Sequence, residues 1–267
     1  MARISVIMGI YNCASTLLEA LDSLYAQTYQ DFKIILCEDG STDDTYEVAQ
    51  RYAKEHDNIV LLRNERNMGL NYTLNRCLEH VDTEYVARMD GDDISLPTRF
   101  EKEISFLDNH PEFALVSCPM VYFDESGDFR TGRATAYPQK MSLIYGSPFC
   151  HAPCMGRTAA FKAVGGYSEG KRYLRIEDYV LWTKLYAAGY EGANIQEPLY
   201  KMRDDRNALK RRTFRARWNS TLAKFEAYPK LGVPLRHYPK ALRPVLIGLL
   251  PHRLYTYLRN RRHNVNI

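Results

Sequence analysis

Residues 85–93, YVARMDGDD, join an apolar, strand-like run to three carboxylates within four positions. Upstream of this segment, strand-like runs alternate with amphipathic helical periods, in the order Ile4–Met8, Ser15–Ala26, Phe32–Cys37, Thr45–Lys54, Ile59–Leu62 and Asn71–His80. Alternating strands and helices with short connections predict an α/β fold, with a mostly parallel sheet and helices on both of its faces. Ligands bind such sheets outside the carboxyl ends of the strands, which is where residues 90–93 would lie.

The second part of the chain continues with less regular patterns. We predict a helix from Pro97 to about Asn109, one long strand over Phe113–Phe123 and mainly loops over residues 124–150. Two further helices are expected over Thr158–Val164 and from Glu177 to Ala188. The expected organisation is a catalytic domain over 1–203, with a first half of about 1–96 and a second of about 97–203, and a helical extension over 204–267.

Charge is divided unevenly along the chain. Residues 201–267 contain 17 Lys and Arg against 3 Asp and Glu, a net charge of +14, whereas residues 1–200 carry −10. The basic extension also contains Trp, Tyr and Leu residues, a mixture suited to an anionic membrane surface. A helical pair that packs on the catalytic domain, or a dimer contact, would explain the same composition.

Other composition features narrow the classes of protein. No apolar run approaches the roughly 20 residues of a spanning helix, and residues after Met1 lack the pattern of a signal peptide. Six cysteines without framework spacing favour free thiols. Cys150 and Cys154 flank His151, but a zinc site would need a second pair of ligands.

The Asp90-Gly91-Asp92-Asp93 cluster predicts a metal site. Adjacent carboxylates repel one another, and Mg²⁺ or Mn²⁺ bound with phosphate oxygens would remove that cost. An Asx turn before the helix at Pro97 is the alternative interpretation. A second polar cluster, Glu38-Asp39-Gly40-Ser41, follows the second strand. Its serine and glycine suit a helix cap and a tight turn, and its carboxylates could accept hydrogen bonds from a nucleobase.

Seven motifs in order resemble glycosyltransferase family 2. They are Ile4–Met8, Tyr11-Asn12, Glu38-Asp39-Gly40-Ser41, Asn67-Met68-Gly69-Leu70, Asp90-Gly91-Asp92-Asp93, Gly165-Gly166-Tyr167 and Glu177-Asp178-Tyr179. The resemblance covers residues 3 to about 203 and implies a GT-A catalytic domain. The stretch Ala87–Pro97 is similar to the branch that builds bacterial capsule, exopolysaccharide and O-antigen repeats.

The resemblance implies roles for individual residues. Asp39 would pair with the base, usually uracil, so that its removal weakens donor binding while the fold stays intact. Asp90 would contact the ribose or a metal-bound water, and Asp92 would ligate Mn²⁺ or Mg²⁺. The implied nucleotide-binding set is Tyr11, Asn12, Glu38, Asp39, Asn67, Gly69, Asn75, Asp90 and Arg203.

On the acceptor side, the resemblance implies that Asp178 is the catalytic base of an inverting transfer. Glu177 would orient or bind the acceptor, although two carboxylates at this position would also cap a helix. His151 matches a frequent His-Pro position only in part, and it would either line the pocket or lie in the core.

Two positions depart from the family pattern. Leu74 replaces a frequent arginine before Asn75, so Arg76 or Arg88 would have to supply a ribose or phosphate contact. Met202-Arg203 replaces a Tyr-Arg pair, and the aromatic residue is displaced to Tyr200.

We therefore expect an inverting, metal-dependent transferase that moves a sugar from a UDP-sugar to a saccharide or lipid-linked acceptor in surface polysaccharide synthesis. It would be cytoplasmic and peripheral on the inner face of the membrane. A nucleotidyltransferase would carry a Gly-rich basic loop where this chain has Gly9-Ile10-Tyr11-Asn12. A nucleic-acid-binding module would leave the acidic clusters without a role, and no nucleic-acid partner is expected.

Overall fold

The computed structural model describes residues 2–204 and 213–249. Its strands are β1 (Ile4–Ile10), β2 (Phe32–Glu38), β3 (Ile59–Arg63), β4 (Tyr85–Arg88), β5 (Ile94–Ser95), β6 (Phe113–Ser117), β7 (Met120–Asp124), β8 (Gly127–Thr131), β9 (Met155–Arg157), β10 (Glu191–Asn194) and β11 (Tyr200–Arg203). Its α-helices are α1 (Leu17–Tyr25), α2 (Thr45–Glu55), α3 (Leu70–Glu79), α4 (Arg99–Asn109), α5 (Thr158–Ala163), α6 (Glu177–Ala187), α7 (Phe214–Lys230) and α8 (Arg243–Leu249). Short 3₁₀ helices cover Lys140–Ile144, Lys171–Tyr173 and Leu235–Leu242.

A seven-stranded sheet in the order β10-β6-β9-β4-β1-β2-β3 forms the centre of the fold. Its neighbours pair in parallel except β9, which is antiparallel to both β4 and β6. From β1 the chain adds β2 and β3 on one side and then β4 on the other, so the strand order switches sides between β1 and β4. Ligands bind such sheets at this kind of switch point. The predicted fold class is confirmed.

Both faces of the central sheet are covered, which explains why β1 is apolar throughout. Ile4, Val6, Met8 and Ile10 belong to one apolar cluster, and Ile7 belongs to the cluster on the opposite face. Because successive side chains of a strand point to opposite faces, a strand buried on both sides has a continuous apolar run. This burial fixes the carboxyl end of β1 beside those of β2 and β4.

The prediction of one long strand over Phe113–Phe123 was wrong. The structure divides it into β6 in the central sheet and β7 in a second sheet of order β5-β11-β7-β8. Pro119 lies between the two strands and cannot donate a ladder hydrogen bond. The prediction of mainly loops over 124–150 missed β8. Strand β9 was missed because three residues are too few to show the alternation of apolar and polar residues that is typical of a strand.

The second sheet makes two hydrogen bonds with the acidic cluster. Its strand β11 ends at Arg203, whose backbone N–H donates to Asp93 Oδ1 at 2.8 Å. It begins at Tyr200, whose hydroxyl accepts the N–H of Asp90 at 3.2 Å. The end of β4 is therefore held by hydrogen bonds from a separate sheet.

The described part of the basic extension packs on the catalytic body. Ala223, Ala227 and Tyr228 of α7 belong to the same apolar cluster as Trp182 of α6. Lys224 Nζ donates to Ile144 O at 3.0 Å, and burial lowers the pKa of this lysine to about 8. Residues 205–212 and 250–267 of the predicted extension lie outside the described residues. No helix within 2–204 or 213–249 is long and apolar enough to cross a membrane.

Candidate active site

Arg88, the last residue of β4, lies beneath the acidic cluster. The residue is 4% exposed, and its guanidinium forms an ion pair with Asp90 Oδ1. Its Nε has no hydrogen-bond partner among the described residues. Positive charge is therefore buried where the chain turns from the strand into the carboxylate loop, and it interacts favourably with more than one acid nearby.

The three carboxylates of residues 90–93 lie in different environments. The Asp92 side chain is exposed to solvent. Partial desolvation by surrounding groups, and then the neighbouring Asp90, raise its pKa. Asp93 is 2% exposed, its Oδ2 has no hydrogen-bond partner within residues 2–204 and 213–249, and burial raises its pKa well above the ordinary value. Asp93 anchors β11, whereas Asp92 is the carboxylate open to a ligand.

The acidic loop does not form a complete metal cage by itself. Within residues 2–204 and 213–249, no three His, Cys, Asp or Glu side chains form a group that could hold a metal ion. Mg²⁺ and Mn²⁺ sites at diphosphates commonly use one or two carboxylates, with phosphate and water oxygens as the remaining ligands. Asp92, with its raised pKa and its like-charged neighbour Asp90, fits such a site.

Asp39 holds a loop as well as facing the site. It is 4% exposed, and its Oδ1 accepts hydrogen bonds from Asn64 Nδ2 at 2.6 Å and Met68 N at 2.8 Å. Its Oδ2 accepts one from Gly69 N at 2.9 Å. The expectation that the fold stays intact without Asp39 stays a prediction, but two backbone donors depend on this carboxylate. One acceptor position on Oδ2 stays available for a base.

Glu38 lies deeper than a nucleotide contact would require. Its side chain is fully buried, with Oε1 accepting the N–H of Ser41 and Oε2 paired with Arg63 at 3.2 Å. The structure thus places Glu38 in the turn that follows β2, as a correction to its predicted position in the nucleotide-binding set.

Tyr11 and Asn12 follow β1 at the same edge. The Tyr11 side chain is 44% exposed, which leaves its ring free to pack on a base. Asn12 adopts a positive φ of 48°, and its Oδ1 accepts the N–H of Thr42 at 2.9 Å. Asn12 therefore joins the loops after β1 and β2, and Tyr11 is the side chain presented to a ligand.

The predicted nucleotide-binding residues after β3 also lie in two different places. Asn67 is exposed, and Gly69 has a φ of 92° at the N-terminus of α3. Asn75 lies elsewhere: its Nδ2 donates to Tyr167 O at 2.9 Å, and its Oδ1 accepts the N–H of Tyr167 at 2.8 Å. Its predicted nucleotide contact is corrected to a bond that fixes the Gly165-Gly166-Tyr167 turn.

The two arginines considered as substitutes for the missing family arginine differ in position. Arg76 Nη1 donates to Asn64 Oδ1 at 2.6 Å and to Arg63 O at 2.8 Å, so it supports the loop that Asp39 holds. Leu74 is fully buried. Arg88 is the cation that lies among the acids of the site.

Glu177 and Asp178 open α6 on the other side of Arg88. Burial, and then the neighbouring Asp178, raise the pKa of Glu177 to about 7. Burial raises the pKa of Asp178, and a hydrogen bond from Ser147 and the charge of Arg88 oppose that rise in part. Ile176, the residue before α6, makes no side-chain capping bond, whereas backbone N–H groups of the first turn interact with both carboxylates. A buried carboxylate whose pKa is raised is suited to accept a proton.

His151 is partly buried next to this pair. Its Nε2 lies 2.9 Å from the Tyr167 hydroxyl, and its ring meets Trp182 edge-on with centroids 6.0 Å apart. Burial, and then the charge of Arg88, lower its pKa well below the ordinary value. The neutral imidazole is thus positioned by aromatic neighbours.

Arg203 lies on the outer side of the acidic loop. Its Nε donates to Asp92 O at 3.0 Å, and its Nη2 forms an ion pair with Glu19 of α1. Its guanidinium also lies 4.6 Å from the centre of the Phe123 ring. The cation is thereby held beside Asp92.

Sequence reasoning missed the buried support of the site. Asn64 directly follows β3, and Tyr200 opens β11. The strand-end rule gives a signal for Asn64, because its position corresponds to those of Asp39 and Asp90 after their strands. Tyr200 was noted only as the aromatic residue displaced from the Tyr-Arg pair, and its bond to Asp90 could not be predicted because it belongs to a different sheet.

The family is established by comparison. The model of Glycosyl transferase family 2 matches residues 5–165. The chain is 39% identical to EpsE of Bacillus subtilis over 250 residues, which cover 93% of this chain and 90% of EpsE. It is 34% identical to the Escherichia coli UDP-Gal:alpha-D-GlcNAc-diphosphoundecaprenol beta-1,3-galactosyltransferase, over 79% of this chain and 77% of the relative. This chain belongs to glycosyltransferase family 2, as its motifs predicted.

Solved structures agree on the fold. S. aureus TarS 1-349 in complex with UDP-GlcNAc has a TM-score of 0.69 at 19% identity, over 95% of this chain and 82% of TarS. The mannosyltransferase PcManGT from Pyrobaculum calidifontis, in complex with GDP-Man and Mn²⁺, has a TM-score of 0.66 at 18% identity, over 98% of this chain and 80% of that one. The predicted GT-A architecture is confirmed.

Asp39→Ala should lower the free energy of unfolding as well as the affinity for nucleotide. Loss of the carboxylate leaves the N–H groups of Met68 and Gly69 without an acceptor, at a cost of about 1–3 kcal/mol. Urea denaturation measures this cost. Asp44→Ala is the control, since Asp44 is exposed and makes no capping bond, and should change stability by about 0.5 kcal/mol or less. Equal stability of the two variants would contradict the structural role of Asp39.

Glu177→Gln should become more stable relative to the wild type as pH rises. Between its ordinary pKa of 4.5 and about 7, the unfolded chain releases the Glu177 proton while the folded chain keeps it. This carboxyl therefore destabilises the folded state increasingly across that window, and fully above it. Thermal or urea unfolding at pH 4 and pH 8 should show a relative gain of about 1–3 kcal/mol for the variant. The exposed Glu79→Gln should show no such trend, and a pH-independent difference for Glu177→Gln would refute the raised pKa.

Proposed function

We propose that this chain is an inverting glycosyltransferase that uses a UDP-sugar and Mn²⁺ or Mg²⁺ in surface polysaccharide biosynthesis. One observation carries the proposal: a single buried arginine interacts with both the Asp90 carboxylate loop and the Glu177-Asp178 pair. Arg88 is paired with Asp90, and its charge also acts on Glu177 and Asp178. A transfer between two substrates needs both kinds of carboxylate at a single centre.

The donor is a nucleotide-sugar, with uridine as the favoured base. Relatives named for UDP-Gal and UDP-Glc, and a solved neighbour that contains UDP-GlcNAc, support this choice. The exposed Tyr11 offers a ring for the base, and the free acceptor position of Asp39 suits an N–H of uracil. Arg203, beside Asp92, is placed to contact the diphosphate.

Asp92 is the residue that would hold the metal, with Asp90 beside it. A bound Mn²⁺ or Mg²⁺ supplies neutralisation of the diphosphate as it departs. The PcManGT complex with Mn²⁺ supports this choice of cation. The chain's own part is to supply one open carboxylate, while Asp90 is held by Arg88 and Asp93 by Arg203.

On the acceptor side, Asp178 takes the proton of the attacking hydroxyl. The hydroxyl oxygen forms the new bond to the anomeric carbon as the bond to the nucleoside diphosphate breaks, so configuration is inverted. Glu177 orients the acceptor through its unsatisfied Oε2. His151 and Tyr167 form the wall behind the pair.

The acceptor is a saccharide carried on a lipid, and the extension brings the enzyme to the membrane. Relatives named for diphosphoundecaprenol acceptors support such an acceptor. Leu242, Leu246 and Leu249 recur at helical spacing and are 41%, 57% and 67% exposed, with the exposed cations Arg236 and Arg243 nearby in sequence. An exposed apolar stripe beside cations suits an anionic bilayer at the cytoplasmic face.

A hydrolysis screen across nucleotide-sugars, with and without Mn²⁺ or Mg²⁺, tests the donor and the metal together. Asp92→Ala should abolish turnover and weaken donor affinity when Mn²⁺ is present, because it removes the open ligand. Asp22→Ala, a change on α1, controls for loss of one carboxylate. Undiminished wild-type activity in excess chelator would refute the metal-dependent mechanism.

Asp178→Asn should lower kcat by about 10²–10⁴-fold while the donor Kd stays nearly unchanged. The amide keeps the size of the side chain but cannot accept the proton. Single-turnover rates, donor affinity and melting temperature separate chemistry from folding. If Glu177→Gln loses turnover while Asp178→Asn retains it, Glu177 is the base. If both variants turn over normally, neither carboxylate is.

Replacing Leu242, Leu246 and Leu249 together by Gln should weaken binding to phosphatidylglycerol vesicles about tenfold or more, because apolar area would no longer be removed from water. Added salt should weaken wild-type binding by screening the cations. Vesicle co-sedimentation measures both effects. Leu18→Gln, on α1 and 47% exposed, is the matched control. If the wild-type chain does not bind anionic vesicles at low salt, the membrane role is refuted.

A further inference from the structure

The loop between Gly170 and Ile176, termed here the basic loop, leads directly into the acceptor-side carboxylates. It contains Lys171, Arg172 and Arg175, all of them exposed. Arg172 is paired with Glu226 at 3.0 Å. Lys171 and Arg175 have no ion pair within residues 2–204 and 213–249, although residues 1–200 carry a net charge of −10. Two free cations therefore stand next to the place where the acceptor hydroxyl reacts.

The backbone fixes Arg175 in this position. Arg175 has a φ of 67°, a conformation that residues other than Gly, Asn and Asp seldom adopt. Its neighbour Leu174 packs closely on the turn at Gly69, where a Cβ would lie 2.9 Å from Leu174 Cδ2. The Arg175 backbone N–H also interacts with the Glu177 carboxylate. Strained backbone of this kind is concentrated at binding and catalytic positions.

The other side of the basic loop borders α7. Arg172 and Tyr173 both approach Glu226, and a small crevice between the loop and the helix is lined by Ile176, Asn219 and Leu222 among others. Along α7, apolar side chains recur at positions 214, 218, 222 and 225. This α7 apolar stripe is exposed, with fractions of 51% for Phe214, 48% for Trp218, 40% for Leu222 and 36% for Phe225.

We propose that Lys171 and Arg175 bind the diphosphate of a polyprenyl-diphosphate-linked acceptor, and that the α7 apolar stripe binds its lipid chain. This inference rests on the proposed function and specifies its acceptor. Three features follow one another across the surface: the Glu177-Asp178 pair, the two free cations of the basic loop, and the α7 apolar stripe. A saccharide, a diphosphate and a polyprenyl chain follow one another in the same order along such an acceptor.

The charges favour a diphosphate over a neutral glycoside. The acceptor must approach Glu177 and Asp178, which repel an anion when they are ionised. Two unpaired cations directly before these acids offset that repulsion, and charge-assisted bonds to phosphate are among the stronger hydrogen bonds. A neutral acceptor would give Lys171 and Arg175 no partner of opposite charge.

Calorimetry with farnesyl diphosphate as the probe tests the charged contact. EDTA is present throughout, so that metal at the donor site cannot recruit the probe. Lys171→Gln/Arg175→Asn should bind the probe about tenfold more weakly, since Asn tolerates the positive φ but carries no charge. Arg51→Gln/Lys54→Gln on α2 is the matched control and should change the affinity by less than about twofold, because both cations lie on a helix outside the basic loop.

A second variant tests the lipid contact. Trp218→Ser/Leu222→Ser should weaken the binding of farnesyl diphosphate but not of inorganic pyrophosphate, because only the former has an apolar chain. Equal affinity of the wild type for the two probes would overturn the assignment of the α7 apolar stripe. Melting temperatures of both double variants verify that they are folded.

The outcomes distinguish this inference from the proposed function. Donor hydrolysis and UDP affinity should be unchanged in the Lys171/Arg175 variant, because neither cation belongs to the proposed nucleotide-binding set. Unchanged farnesyl diphosphate affinity in that variant would overturn the inference while leaving the transferase activity intact. Loss of binding to phosphatidylglycerol vesicles alone, with the farnesyl diphosphate affinity retained, would also overturn it, because the cations would then serve the bilayer.

Discussion

A single buried guanidinium supplies positive charge that interacts with two groups of acids. Arg88 lies at the end of β4, bonds to Asp90 and lowers the pKa values of Glu177 and Asp178 against the effect of burial. Without it, two carboxylate groups would face one another across a poorly solvated centre, and removing one partner of a buried pair is expensive. The acids of donor and acceptor sides can therefore share one cleft because this cation lies beneath it.

The position of Arg88 depends in turn on a second buried arginine. Arg99 of α4 donates to the Arg88 carbonyl at 2.9 Å and pairs with Glu103 at 3.1 Å, and all atoms of both partner side chains are buried. Tyr200 stands beside Arg99, with 5.2 Å between its ring centre and the guanidinium, and its hydroxyl accepts the Asp90 N–H. These groups fix the backbone on which the acidic loop is carried, so the site is preorganised from below.

Local patterns predicted the nucleotide-side strands and the acidic strand ends, because each is written within a few consecutive residues. The period of β1 and the polar residues after β2 and β4 are examples. Asp39 and Asn75 could be located but not fully interpreted, since their partners Gly69 and Tyr167 lie 30 and 92 positions away. The division between β6 and β7 was visible only as Pro119, and the pairing of β9 depends on strands far from it in sequence. Roles that depend on such distant partners need the fold.

The distribution of charge explains how an acidic cleft can accept anionic substrates. Burial raises the pKa values of Asp92, Asp93, Glu177 and Asp178, so the empty cleft favours protonated acids. Protonation lessens the repulsion that an entering diphosphate meets, and nearby cations offset the rest. On the donor side Arg203 stands beside Asp92, where a divalent cation would add to it. On the acceptor side, the chain places Lys171 and Arg175 directly before Glu177 and Asp178. Each acid group thus has its own cations, and Arg88 lies between the two sets.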